Sequence, residues 1–258
     1  MERNELPKAG VLADKKQTGK NITWFILLGV MVTCIARANY PFFHGMTEFL
    51  CIFLMFGIFI VTLNTHHIVR NDYLMFLGIS YGFVGGFEFL HNIAAGKMII
   101  LPLNTPDLQV KGWVAAGYTE SLSLLLAPVF LHRKIKPGLV FGLFLAFSTL
   151  FLISFYFWDR LPVIITSGAD SPYSCQEGSL LIVLLLCLAI LLLLKNKIAI
   201  TPRMFRTMLI FLTLTAVSRL FLSFGSEPGG LAVVAGHMLK LLSAYWLFKS
   251  VIDMTLKT

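Results

Sequence analysis

The sequence predicts an all-α polytopic integral membrane protein of about eight transmembrane helices, and three observations carry that prediction. Of the 258 residues 57% are hydrophobic and only 13% charged, with a mean hydropathy of +0.81, outside the range of soluble domains. The apolar residues come in runs of about 17–23, the length a helix needs to cross a bilayer. The ten-residue alternating segments of a membrane barrel are not visible.

Eight spans follow, at 22–38, 43–63, 73–94, 113–131, 138–157, 179–194, 205–224 and 231–252. The first is preceded by a polar leader, 1–21, and contains "CIARANY", whose Ala36 and Ala38 have the A-x-A spacing of a signal-peptide cleavage site. That leader is too long for a typical n-region, so the span is expected to be retained. The second span holds His44 and Glu48 in its first turns. In the third, Gly78, Gly82 and Gly86 recur every four residues and predict a face open to close helix approach. Glu88 and His91 follow near its end, Glu120 sits early in the fourth span beside Ser121 and Ser123, and Glu177 precedes the sixth. Arg219 lies in the seventh span, and His237 and Lys240 in the eighth.

The longest connections, 95–112 and 158–178, are long enough to form a lid. Their Pro102, Pro106, Pro162 and Pro172 favour ordered turns over further helix. One membrane-embedded domain, 22–252, therefore accounts for the chain apart from the leader and a short C-terminal connection, 253–258. Cys34, Cys51, Cys175 and Cys187 show no CxxC spacing and read as apolar filler.

The net charge of +8 is a topology signal. With the N-terminus inside, fifteen of the 21 basic residues fall on the side of both termini and four on the other: Arg37, Lys97, Lys111 and Arg160. Only Arg219 and Lys240 remain within spans. The positive-inside rule then places both termini in the cytoplasm and the chain in the cell (inner) membrane, with no role in binding nucleic acid.

An ionisable side chain near the bilayer centre costs about 2.5–3.5 kcal/mol on insertion scales, so each needs a partner, a wet cavity or a function. Those of this chain all fall in the outer half. The economical reading is one polar cluster between helices, open outward, with His44, Glu48, His91, Glu120, His237 and Lys240 as ligand-binding candidates. Glu88 is expected at the outer interface instead of on a ligand, and Arg219 in a structural role. Lys240 is placed deepest, where a salt bridge to Glu120 or Glu48 competes with ligand contact. Snorkelling to water is the alternative for His44 and Glu48. Histidine and carboxylate ligands from several helices suit zinc, iron or manganese, and His44, Glu48 and His91 are the candidate metal set. Two histidine-bearing spans leave haem open as well.

The stretches "FFHGMTEFLCIFLMFGIFIVTLNT", "NDYLMFLGISYGFVGGFEFLHNIAAGKM", "GWVAAGYTESLSLLLAPVFL" and "AGHMLKLLSAYWLFKSVIDMTL" together resemble the third type of membrane-associated sensor domain of bacteria and archaea. The most specific parts are His44 with Glu48, Asn64, Leu90-His91 with Gly96-Lys97-Met98, Glu120-Ser121, and Gly236-His237 with Lys240. The chain departs from that pattern at Glu88, where an Asp is usual, at Gly117, where an Arg is usual, and at Arg219, where an acidic residue is common.

The resemblance implies a sensor without chemistry of its own, joined to a cytoplasmic output domain such as a histidine kinase or diguanylate cyclase, and by analogy a homodimer. The chain stops at "FKSVIDMTLKT", so the expectation is either a downstream domain or a stand-alone sensor. An intramembrane metal-dependent enzyme using the His/Glu cluster is the alternative. A transporter ranks last, since repeat symmetry and broken spans are not visible.

Overall fold

The computed structural model describes residues 29–95, 106–157, 176–225 and 227–255; the leader, most of both long loops and the last three residues lie outside that description. Helices stand at all eight predicted places, and no strand occurs among the described residues. They are α1 (Gly29–Ala38), α2 (Tyr40–Val69), α3 (Asp72–Ala95), α4 (Pro106–Leu126), α5 (Pro137–Phe157), α6 (Gln176–Lys195), α7 (Pro202–Phe224) and α8 (Leu231–Thr255). Six of these are long and apolar enough to cross a membrane, and the described apolar parts of α1 and α6 are shorter.

Local chemistry explains where the helices depart from the predicted limits. Only Asn39 separates α1 from α2. Its non-helical backbone, φ −151° and ψ 82°, breaks the helix, and its side chain accepts a hydrogen bond from the Phe42 amide at 3.2 Å, capping α2. At the far end α2 runs two turns past the predicted limit to Val69, and Arg70 closes it in the left-handed conformation, φ 47°. Asn71 then caps α3 through the Leu74 amide, and Thr201 caps α7 through that of Met204. Pro106 is the first residue of α4, so the start of that helix replaces the turn expected there: proline is preorganised for a first helical position, where its missing N–H is not needed. Lys111, expected in the loop, is consequently a buried residue of α4.

The packing alternates in direction. Asn92 of α3 lies beside Gly45 of α2 and Gly78 beside Thr62, so these helices are antiparallel. Gly112 meets the His91 backbone and Glu120 meets Tyr81, which sets α4 antiparallel to α3. Ser218 with Gly236 and Thr215 with Ser243 do the same for α7 and α8. By contrast α8 runs parallel to α2, pairing His237 with Glu48 and Phe248 with Gly57. The close-approach face of α3 consists of Gly78, Gly82 and Gly85. Gly86 meets nothing within 4 Å, because a helix returns to one face at i+4 and then i+7. Beside α3, α5 stacks Phe144 and Phe141 on Phe76 and Phe83 while its own window is only 11% buried, as suits a lipid-facing helix.

Candidate functional site

Near the end where α1 meets α2 and α7 meets α8, which the charge count assigns to the outside, the bundle interior is polar. Helical spacing stacks the groups in layers. His44 precedes Glu48 by one turn, and His237 precedes Lys240 by three residues on a parallel helix, so the histidines lie outermost and the charges beneath them. A Cβ on Gly112 would stand 3.1 Å from the His91 backbone, which sets these two residues level, so Glu120 lies eight residues, about 12 Å, further in than His91. Glu120 is therefore deeper than Lys240, contrary to the sequence-based ordering, since α4 starts seven residues earlier than its apolar run suggests.

The charged layer is a chain of ion pairs. Lys240 Nζ lies 2.6 Å from Glu48 Oε2 and 2.9 Å from Glu88 Oε1. Arg219 Nη2 lies 3.6 Å from Glu88 Oε1 and donates to Glu120 Oε2 at 2.8 Å. The Tyr81 hydroxyl donates to Glu120 Oε1 at 3.0 Å, and the Arg219 guanidinium also lies over the Trp113 ring, 5.5 Å from its centroid. Glu88 is fully buried, with 0% exposure. The interfacial position expected for it is wrong: depth along a helix does not say which way a residue faces, and Glu88 faces both cations. Of the two partners offered for Lys240, Glu48 is the one it pairs with. Snorkelling of Glu48 to water is likewise overturned, as that side chain is also 0% exposed.

Among these five residues, three carboxylates against two cations leave a formal excess of one negative charge when the histidines are neutral. Some atoms are also left without hydrogen bonds, among them Glu88 Oε2 and Arg219 Nη1. A small cavity, with room for at most about one water, is lined by Tyr81, Glu120, Arg219, Lys240, Thr215 and Ser243 together with apolar Met55, Phe211 and Ala244.

The histidine layer sits above. His44 stacks edgewise on His237, centroids 4.9 Å apart, and on His91 at 5.4 Å. His237 Nδ1 lies 3.0 Å from Glu48 Oε1 without the alignment of a hydrogen bond, and its Nε2 lies 3.4 Å from the Tyr40 hydroxyl. His91 Nδ1 lies 2.8 Å from the Gln109 carbonyl. A carbonyl only accepts, so Nδ1 carries the proton. Ligand atoms of His44, Glu48 and His237 all lie within 4.8 Å of one another. That set differs from the one expected: His237 stands where His91 was placed, because α8 packs directly on α2 and His91 turns toward α4.

All six sequence-selected residues thus sit on one polar column, together with Glu88 and Arg219. Missed were Tyr81, Tyr40 and the Thr215–Ser243 pair, 2.6 Å apart, whose hydroxyls carry no charge and so leave no hydropathy signal. The three departures from the resembled pattern also meet. Arg219 Nη2 lies 3.6 Å from Glu88, and the guanidinium carbon stands 3.5 Å from where a Cβ on Gly117 would be.

A family model described as a membrane-associated sensor domain, MASE3, matches residues 35–258. No curated protein and no solved structure matches the chain.

Proposed function

From the premise that this chain belongs to the MASE3 family of membrane-associated sensor domains, we propose that it is an input module whose polar column receives a small ligand or metal ion from the outer side or the membrane, and whose last helix passes the change to a cytoplasmic output domain, a kinase or a cyclase. Membership of a sensor family favours this over the intramembrane enzyme.

The observation that carries the reading is the position of α8. It holds His237 and Lys240, both against Glu48, and continues unbroken for 25 residues to Thr255. A ligand that binds one arrangement of these ion pairs better than another shifts the balance between two placements of α8.

The test is a distance. With Cys34, Cys175 and Cys187 replaced by serine, spin labels at Ile68→Cys on α2 and Lys249→Cys on α8 report the spacing of the two helices away from the cluster. The expected result is a changed distance distribution in Lys240→Met relative to wild type. A distribution identical in wild type, Lys240→Met and Glu48→Gln refutes the coupling.

A further inference from the structure

We propose that the ligand of this column is a divalent transition-metal ion held by His44, Glu48 and His237; the inference rests on the sensing role proposed above and names its signal.

Two imidazoles and one carboxylate form a donor set that suits zinc, cobalt, nickel or ferrous iron, whereas calcium and magnesium call for oxygen ligands. The three side chains come from two helices that pack side by side, and their ligand atoms lie within 4.8 Å of one another. Independently, Glu48 Oε1 and His237 Nδ1, in residues 0% and 5% exposed, face each other at 3.0 Å without the alignment of a hydrogen bond and have no other hydrogen-bond partner among the described residues. Buried polar atoms are almost always satisfied, and an ion between them satisfies both.

The other ends of the same groups are already held. Lys240 grips Glu48 Oε2 at 2.6 Å, and the Tyr40 hydroxyl faces His237 Nε2 at 3.4 Å. Such outer contacts orient metal ligands and leave the opposite atoms directed at the ion. The formal excess of one negative charge among Glu48, Glu88, Glu120, Arg219 and Lys240 favours a cation. Three protein ligands also leave a coordination position open, as exchangeable metal sites do. His44, at 8% exposure, is the member of the set with the most contact with the surroundings and marks the entry side.

The full chain, purified in detergent and stripped with a chelator, is titrated with Co²⁺, Zn²⁺, Mg²⁺ and Ca²⁺. About one Co²⁺ per chain is expected, with the visible absorption of a low-coordinate site. Zn²⁺ raises the melting temperature where equal Mg²⁺ or Ca²⁺ does not. His44→Ala and His237→Ala abolish the absorption, Tyr40→Phe weakens affinity about 10–100-fold, and His67→Ala, at the far end of α2, leaves it unchanged. X-ray absorption of the wild-type zinc form counts two imidazoles, a readout independent of how the variants fold.

No saturable binding, binding undiminished in both histidine variants, or a coordination sphere without imidazole overturns the proposal. The Ile68–Lys249 distance separates it from the sensing role. Metal uptake with that distance unmoved keeps the site and removes the coupling, while a distance that answers Lys240→Met in a protein that takes up no metal removes the site and keeps the coupling.

Discussion

Glu88 and Lys240 differ sharply in what their removal should do, although they touch. Lys240 is the cation nearest Glu48 and one of two beside Glu88. Lys240→Met strands buried carboxylates, a class of change that costs about 3–5 kcal/mol. Glu88→Gln instead leaves Lys240 with Glu48 and Arg219 with Glu120, two cations against two anions. It is expected to be at least about 2 kcal/mol milder than Lys240→Met. Thermal unfolding in detergent ranks the two, and equal losses would show that the excess charge is already neutralised within the column. Tyr81→Phe removes one hydrogen bond to a charged group and should cost about 1.5–3 kcal/mol in the same assay. These charged residues were legible in the sequence because each is expensive in lipid and has to be explained. Their pairing was not, since whether Lys240 meets Glu48 or Glu120 depends on the register between helices that local sequence does not record.

The helices follow the same division. Apolar run length found every one of them, but polar and capping residues set their ends: Asn39, Thr201 and Pro106 begin helices at positions hydropathy cannot see. The stripe on α3 was visible as a repeat of four, yet the face in use is Gly78, Gly82 and Gly85. A side chain at Gly78 runs into Thr62 of α2, so Gly78→Ala should destabilise by about 1–3 kcal/mol. Gly86→Ala, with nothing within 4 Å, should be close to neutral by comparison. Unfolding midpoints of the two variants decide between a packing face centred on Gly85 and one centred on Gly86. On α5, exchanges such as Leu143→Ile or Leu150→Val should stay within about 0.5 kcal/mol, because those side chains are 61% and 68% exposed.

For the molecule as a whole, the parallel course of α2 and α8 puts Val69 and Thr255 at the same end, and the basic excess predicts that this end faces the cytoplasm. Two single cysteines in a background lacking Cys34, Cys51, Cys175 and Cys187 test the assignment. Ile198→Cys, in the short turn between α6 and α7, should react with a membrane-impermeant thiol reagent only after the cells are opened. Glu227→Cys, in the turn between α7 and α8, should react in intact cells. The reverse pattern inverts the topology. Whole-chain architecture was the most readable level, since bilayer thickness and charge bias act on every span at once, whereas the column depends on a few contacts between distant segments. The parallel course of α2 and α8 gives those contacts a mechanical consequence. The Glu48–Lys240 tie lies fifteen residues of α8, about 22 Å, from Thr255, and the stretch between packs on α7 through Ser243 and Asp253 and on α2 through Phe248. A lever of that length turned by about five degrees would carry its end through about 2 Å, comparable with the helix shifts that switch known signalling interfaces, so any such turn has to slide those contacts along α2 and α7.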